Sequence, residues 1–308
     1  MKPSGLRPFW LCALSLLTYL ATAGRICSLV APRAKPIFRP TAVSRVFYRA
    51  ANILSSLTET TQWPSGSTAP ELASDEVHVW AASLCVTPAA LEALDATLSP
   101  DEKERAGKFK FEKHRNRFIA GRGALREILG EYLKLNPAAL CFSYSTNGKP
   151  ALAGEFASAA IHFNLAHSED MALVAVTRVG VIGVDVECIR PVKEMDELVA
   201  RFFSARETVL FQRLRPDEKA AAFFNLWTRK EALLKATGEG ITRSLSLVEV
   251  SFLPGEPARL LAIAGDTSKA AEWAVCELSP ATGFVGALAI KAENLTVQCG
   301  RWDAAEAQ

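Results

Sequence analysis

Hydrophobic residues recur along the chain with two different periods, which together predict a mixture of strands and helices. Period-two alternation and short β-branched runs between turn residues predict strands. Apolar residues at helical spacing predict helices, and a Ser followed three residues later by Glu marks a helix start. The predicted strands cover residues 77–82, 161–165, 171–177, 181–187, 242–252, 259–264, 272–278 and 283–290. The predicted helices are residues 87–98, a basic helix pair starting at Ser99, a helix starting at Ser204, and residues 225–235.

The chain repeats one arrangement of these elements. Residues 124–130 overlay residues 232–238 at a constant offset, and residues 161–177 resemble residues 272–290 as a paired-strand unit. Such a repeat predicts an α+β fold of two similar halves related by a pseudo-twofold axis. The predicted divisions are a leader outside the core (1–75), an N-terminal half (76–180), a C-terminal half (181–295) and an uninformative tail (296–308).

Composition and charge exclude several classes of protein. The chain has 308 residues, of which 49% are hydrophobic and 22% charged, so it is long enough for two small cores and is not disordered or collagenous. A formal net charge of +2 is too small to indicate nucleic-acid binding. The seven cysteines are odd in number and scattered, without zinc spacing, which favours buried thiols in a reducing compartment over disulfides or a metal site.

The strand at residues 181–187 ends in two carboxylates. Because successive side chains of a strand alternate between its faces, Asp185 and Glu187 share one face while Val184 and Val186 share the other. Two neighbouring like charges favour a bound cation. A strand that simply runs out into a solvated turn would carry the same letters, so this pair alone is a weak signal.

A second stretch, the helix at residues 225–235, carries complementary charge. Trp227, Glu231 and Lys235 lie four residues apart and therefore share one helix face. A surface Glu-Lys pair beside a core tryptophan would give the same spacing.

Taken in order, the two stretches resemble the signatures of the Sfp-type 4'-phosphopantetheinyl transferases. That family has a G-[IV]-D-[IV]-E strand and, some forty residues later, a W-[ST]-x-K-E-[AS]-x-x-K helix; residues 183–187 and 227–235 of this chain match them. The resemblance covers residues 77–290, and the family has the same two-half architecture. It implies transfer of 4'-phosphopantetheine from coenzyme A to a serine of an apo acyl or peptidyl carrier protein, with release of 3',5'-ADP.

The resemblance also implies a Mg²⁺ cofactor and roles for the acidic and basic residues of the two stretches. Asp185, Glu187 and Glu231 would be metal ligands, and Lys235 would stabilise charge on the bridging oxygen. A glutamate at the Glu231 position has also been assigned as the base that deprotonates the serine. The sequence leaves both roles of Glu231 open.

Four further positions match family residues that contact coenzyme A. The family has a helix pair that holds the 3'-phosphate, and this chain aligns with it at Ser99-Pro100, Phe109, Arg117, Gly121 and Arg126. The alignment implies Arg105 as the first ligand of the phosphate and Arg117 as a further one. Glu102 stands where the family has a lysine, so Lys103 is a candidate replacement. Lys149 matches a G-K-P lysine, and His167 matches a histidine that meets the phosphates, although Ala166 replaces the usual Ser before it. Exposed turn or helix-surface residues are the competing interpretation.

Two rival classes are considered. A catalytically degenerate carrier-protein binder predicts damage among Asp185, Glu187, Glu231 and Lys235, and none is seen. A secreted or membrane-attached protein predicts paired cysteines, against the odd, scattered set. We therefore expect a cytoplasmic monomer without stable membrane association and without nucleic acid.

The leader has three interpretations. An apolar run at residues 9–24 before an Ala-Thr-Ala sequence is typical of a signal peptide. The following basic stretch, with no acid before Glu59, is typical of a transit or membrane-surface segment. In the third interpretation the true start lies downstream of Met1 and the segment is translated leader, which would explain why it lacks a periodic core pattern. The third interpretation is favoured because coenzyme A is a cytosolic substrate.

Overall fold

The structure, a computed structural model, describes residues 63–238, 245–292 and 295–304. The three interpretations of the leader concern residues that lie almost wholly outside these ranges. The beginning of the strand predicted at residues 242–252 also lies outside these ranges. Within the predicted segment, residues 248–250 form a strand.

Strands and helices alternate along the described chain. The strands are β1 Ser65–Gly66, β2 Glu76–Ser83, β3 Phe142–Tyr144, β4 Pro150–Leu152, β5 His162–Ser168, β6 Met171–Thr177, β7 Ile182–Cys188, β8 Val248–Val250, β9 Leu260–Ile263, β10 Ala274–Leu278, β11 Phe284–Ile290 and β12 Thr296–Trp302. The helices are α1 Pro88–Thr97, α2 Pro100–Gly107, α3 Glu112–Leu133, α4 Met195–Phe202, α5 Ala205–Gln212, α6 Pro216–Thr237 and α7 Thr267–Ala271. Short 3₁₀ turns lie at Pro137–Ala139, Gly154–Ser158 and Leu245–Leu247.

The α+β architecture contains the same unit twice. In the first half, β2 pairs antiparallel with β6, and β6 pairs antiparallel with β5. In the second, β7 pairs antiparallel with β11, and β11 with β10. A helix of 22 residues, α3 or α6, separates the first strand from the hairpin in each half. The topology therefore agrees with two similar halves; their relation by a pseudo-twofold axis stays a prediction.

The predicted helix starts are confirmed by capping contacts. Thr87 accepts from the backbone N–H of Ala90 at the start of α1. At α5, Ser204 Oγ accepts from the N–H of Glu207, and Glu207 Oε2 accepts from the N–H of Ser204, so two otherwise unpaired donors are satisfied reciprocally. The helix predicted at residues 225–235 is confirmed as a helix, but it is longer than predicted, because α6 begins at Pro216 and ends at Thr237.

The two halves meet through a shared apolar layer. Val184 and Val186 on β7 pack in one buried cluster with Val77 and Val79 on β2. The predicted alternation of β7 is therefore confirmed, with its valines against the first sheet. Separate clusters lie beneath α3 and beneath α6.

The predicted boundaries of the core are wrong at both ends. Trp63 and Leu72, within the expected leader, are buried in the core. The expected tail contains β12, which lies between β1 and β2 and pairs parallel to both. The sequence of β12 mixes small, polar and charged residues, so its pairing depends on neighbouring strands rather than on a hydrophobic pattern.

The strand that carries His167 is also longer than predicted. We predicted that this strand ends at residue 165, but β5 continues to Ser168 and the turn is formed by Glu169 and Asp170. Within the described ranges, no helix has both the length and the apolar character needed to cross a membrane.

Candidate active site

The site depends on a very close approach of α6 to β7 at Gly183. A Cβ atom added to Gly183 would lie 2.0 Å from the carbonyl oxygen of Ala232 and 2.4 Å from the backbone nitrogen of Ala236. Both neighbours are backbone atoms of α6, so they cannot rotate away as a side chain could. A side chain at this position would therefore force the helix off the strand.

The close approach brings the acidic end of β7 under the helix. Asp185 lies two residues after Gly183 on the same face of the strand and is buried. Its Oδ1 accepts a hydrogen bond from Lys235 Nζ at 2.6 Å. The structure therefore brings these two side chains together, while their roles in a site stay a prediction.

Glu231 lies one helical turn before Lys235 and is buried without a full set of partners. Its Oε1 atom and the Oδ2 atom of Asp185 have no hydrogen-bond partner among the described residues. Burial, then the charge of Asp185, raises the pKa of Glu231 to about 8. Burial also raises the pKa of Asp185 to about 7, against the opposing effect of Lys235.

Lys235 is the counter-charge of this cluster. Burial disfavours its ammonium form, but Asp185 and Glu231 together overcome that cost and raise its pKa. Its side chain is 21% exposed, whereas that of Asp185 is 6% exposed, so part of the lysine side chain faces solvent beside the buried acid.

Glu187, the third acid of the predicted set, is held by different residues. Its Oε2 accepts from Ser168 Oγ at 2.7 Å and from Arg190 Nη1 at 3.3 Å. Ser168 also accepts from the backbone N–H of Cys188, and the Oδ1 of Asn164 accepts from the N–H of Val184. Polar side chains of β5 thus fix β7 at two points along its length.

The acidic side chains fit a divalent cation. Carboxylate oxygens are the donors that Mg²⁺ prefers, and two buried carboxylate oxygens, on Asp185 and Glu231, have no other partner in the described chain. Within residues 63–238, 245–292 and 295–304, no three or more His, Cys, Asp or Glu side chains form a group that could hold a metal ion by themselves. The acids would therefore supply part of a coordination shell and leave positions for ligand oxygens and water.

His167 lies beside this cluster at the end of β5. Burial, followed by the positive charges of Lys235 and Arg117, lowers the pKa of His167 to about 4. The neutral imidazole therefore lies in the positive field of two cations, an environment that an anionic ligand would complement. Arg117 itself contacts both acids of the β5–β6 turn, Glu169 and Asp170, at 2.9 and 2.8 Å.

Of the basic residues predicted for the 3'-phosphate, Arg105 lies in a second cluster, formed by α2 and α3. Glu102, at the position of a family lysine, is buried between Arg122 and Arg126, with contacts of 2.6 Å to each. Arg105 is half-buried, with its guanidinium 5.7 Å from the centre of the Phe118 ring. Burial and then the charge of Arg122 lower its pKa.

Lys103, the proposed replacement for the missing lysine, is on the surface. Its Nζ lies 3.9 Å from Asp95, and both side chains are more than 40% exposed. Such a pair contributes little to stability. Glu102 is instead an internal counter-ion, a role that the sequence did not predict.

Lys149 contacts the backbone of the two elements that carry the acidic cluster. Its Nζ donates to the carbonyl oxygens of Ile182, Lys235 and Ala236, at the start of β7 and the end of α6. The side chain is therefore neither an exposed turn lysine nor directed toward the basic residues of α2 and α3.

Sequence reasoning missed the residues that hold α6 from its far side. Lys230 is completely buried and donates to Glu207 Oε2 at 2.6 Å and to the carbonyl oxygens of Leu245 and Val248. No periodic signal distinguishes Lys230 from a surface lysine. Gly183 did carry a signal, because an isolated glycine within a strand often marks close backbone approach.

Comparisons with known proteins agree with the motifs. Residues 181–289 match the family model described as "4'-phosphopantetheinyl transferase superfamily", and residues 83–178 match "4'-phosphopantetheinyl transferase, N-terminal". The chain is 44% identical to 4'-phosphopantetheinyl transferase HetI of Nostoc sp. over 71% of this chain and 89% of that protein. It is 32% identical to 4'-phosphopantetheinyl transferase psf-1 of Bacillus pumilus, over 62% and 83% of the two chains. A putative 4'-phosphopantetheinyl transferase of Synechocystis sp. is 35% identical over 56% and 68%.

We expect Glu231→Gln to stabilise the protein in a pH-dependent way when divalent cations are removed by chelation. The pKa of Glu231 is raised from 4.5 to about 8 on folding, so the stability of the wild type falls as pH rises between those values. The amide does not ionise. The free energy of unfolding of the variant should therefore exceed that of the wild type by on the order of 2 to 4 kcal/mol at pH 8, and this difference should disappear toward pH 4.5.

Urea unfolding of both proteins across this pH range measures the difference. Glu92→Gln, on the exposed face of α1, is the matched control and should change stability by less than about 0.5 kcal/mol. A Glu231→Gln variant that is no more stable than wild type at pH 8 would contradict the buried-carboxylate account.

Proposed function

The chain belongs to the 4'-phosphopantetheinyl transferase superfamily, and on that premise we propose how its residues carry out the transfer. The reaction moves the 4'-phosphopantetheine group of coenzyme A to a serine hydroxyl of an apo carrier protein. The serine oxygen bonds to the β-phosphorus, the bond from that phosphorus to the bridging oxygen breaks, and 3',5'-ADP leaves. The observation that carries the assignment of residues is the buried cluster of Asp185, Glu231 and Lys235.

Charge neutralisation is the main requirement of this reaction. The pyrophosphate of coenzyme A is strongly anionic, and negative charge builds on the bridging oxygen as the bond breaks. Lys235, partly exposed above the buried acids, is the cation we assign to that charge. Arg117 and His167 line the neighbouring surface, as their electrostatic coupling supports.

The acids of β7 and α6 would hold Mg²⁺. We propose Asp185, Glu187 and Glu231 as its protein ligands. Asp185 Oδ2 and Glu231 Oε1, which have no partner in the described part of the chain, support two of them, whereas Glu187 Oε2 already accepts from Ser168 and Arg190. When bound, Mg²⁺ would supply positive charge at the pyrophosphate oxygens.

Glu231 is also suited to move a proton. A general base works best with a pKa near the working pH, and the pKa of Glu231 is about 8. We propose that Glu231 accepts the serine proton, directly or through water, as charge develops on the attacking oxygen. Roles as base and as metal ligand are both compatible with the unpartnered Oε1 atom.

The 3'-phosphate of coenzyme A is assigned to the basic cluster on α2 and α3. Arg105 is the first ligand we propose, because its half-buried guanidinium is repelled by Arg122 and would be stabilised by an anion. Arg117 and Lys103 remain secondary candidates. Arg117 is already paired with two exposed acids, and Lys103 is on the surface.

The setting of the enzyme follows from its substrates. We propose that it acts as a monomer in the cytoplasm, because one chain carries all of the assigned side chains and coenzyme A is a cytosolic substrate. Free thiols at Cys85, Cys141, Cys188, Cys276 and Cys299 are compatible with a reducing compartment.

A mass measurement tests the transfer itself. The purified protein, incubated with coenzyme A, Mg²⁺ and a panel of apo fatty-acid, polyketide and peptide carriers, should add one phosphopantetheine group to the serine of at least one carrier. Asp185→Ala should fold but lose the activity, because it removes both the partner of Lys235 and a metal ligand. Normal turnover of Asp185→Ala at limiting Mg²⁺ would overturn the assignment of Asp185.

Calorimetry with two coenzymes tests the phosphate ligand. Arg105→Ala should weaken the binding of coenzyme A by about 1.5 to 3 kcal/mol, the range for a charge-assisted hydrogen bond. Dephospho-coenzyme A, which lacks the 3'-phosphate, should bind the variant and the wild type almost equally. Lys113→Ala, on the exposed face of α3, should leave both affinities unchanged. Equal losses for the two coenzymes would mean that Arg105 acts through the fold.

A further inference from the structure

Lys149 joins the two elements that carry the catalytic side chains. Its Nζ lies 3.0 Å from the carbonyl oxygen of Ile182, the first residue of β7. It also lies 2.7 Å from the carbonyl oxygen of Lys235 and 3.1 Å from that of Ala236, in the last turn of α6. One ammonium group therefore ties the strand of Asp185 to the helix of Glu231 and Lys235.

The contacts satisfy a need of the helix end. The last four carbonyl groups of a helix have no partner within the helix, and the partial negative charge there favours a cation. Asn147, in the same turn as Lys149, donates from Nδ2 to the carbonyl oxygen of Gly238 at 2.7 Å. The turn between β3 and β4 thus caps α6 with two side chains from the other half of the protein.

The same contacts use the full donor capacity of Lys149. A protonated lysine has three N–H groups, and the three carbonyl oxygens account for all of them. Burial lowers its pKa to about 8, so most of the side chain is still protonated at neutral pH. A coenzyme phosphate could reach this ammonium only if a helix-end or strand contact were given up.

We propose that Lys149 is a positioning residue, which fixes the end of α6 against the start of β7 and so sets Lys235 on Asp185, instead of gripping coenzyme A. The proposal rests on the transferase function for its kinetic consequence. It replaces the role that the family resemblance implied for this lysine. It also makes the turn at residues 145–149 a structural link between the two halves of the site.

The test compares variants of Lys149 with variants of the same turn and of the surface. Lys149→Met removes the charge and keeps most of the length, Lys149→Arg keeps the charge, and Asn147→Ala removes only the second cap. Lys108→Met, at a 70% exposed side chain directly after α2, is the surface control. The readouts are kcat, coenzyme A affinity by calorimetry, and amide hydrogen exchange in the last turn of α6.

Lys149→Met should lower kcat by about tenfold to a hundredfold, as displacement of catalytic groups by an ångström can do. Its affinity for coenzyme A should stay within about twofold of wild type, since no coenzyme contact is lost. Exchange should accelerate at the end of α6 and not in α3. Asn147→Ala should also accelerate exchange at the end of α6, but by less than Lys149→Met. The kcat and exchange rates of Lys149→Arg should lie between those of wild type and Lys149→Met, and those of Lys108→Met should equal the wild-type values.

A large loss of coenzyme A affinity in Lys149→Met, with normal exchange at the end of α6, would overturn the proposal in favour of a coenzyme contact. Unchanged kcat, affinity and exchange would overturn it in favour of no role. If Lys149→Met does not fold, Lys149→Arg and Asn147→Ala give the same comparison. If the wild type transfers no phosphopantetheine, the proposed function fails, while the exchange and affinity measurements still decide the role of Lys149.

Discussion

The close contact between α6 and β7 at Gly183 is the constraint on which the rest of the site depends. Alanines at positions 232 and 236 present only backbone and methyl groups, and Gly183 presents no side chain at all. Because the helix can approach this far, Glu231 and Lys235, each one residue before an alanine of the contact, reach the buried end of β7. The distance of 2.6 Å between Lys235 and Asp185 is a consequence of that approach.

The same packing makes the charged forms of the two buried acids energetically unfavourable. It buries Asp185 and Glu231 together, leaves one oxygen of each without a partner in the described part of the chain, and raises both pKa values. Buried groups of this kind reduce stability, and proteins retain them where function requires the charge. Lys235, within the cluster, offsets part of this cost. Lys149 holds the end of the helix that carries Lys235.

The central cluster could be predicted from sequence because each part of it depends on a local period. Alternation along the strand puts Asp185 and Glu187 on one face of β7, and the helical period puts Glu231 and Lys235 on one face of α6. The two family motifs imply that these two faces lie against each other. Long-range partners had no such signal. The buried pairing of Glu102 with Arg122 and Arg126, the carbonyl contacts of Lys149, and the insertion of β12 beside β2 all join distant segments through tertiary packing. Those features needed the structure.

The kcat of Gly183→Ala tests the central claim most directly, with Gly107→Ala as its control, because a Cβ atom at Gly107 would meet no atom within 4 Å. Both variants are assayed at saturating coenzyme A and carrier, after near-ultraviolet circular dichroism shows that they are folded. If the close approach of α6 to β7 builds the site, Gly183→Ala should lose about a hundredfold in kcat, since its added methyl must displace the catalytic helix, and Gly107→Ala should match wild type. A folded Gly183→Ala variant with wild-type kcat would contradict the account.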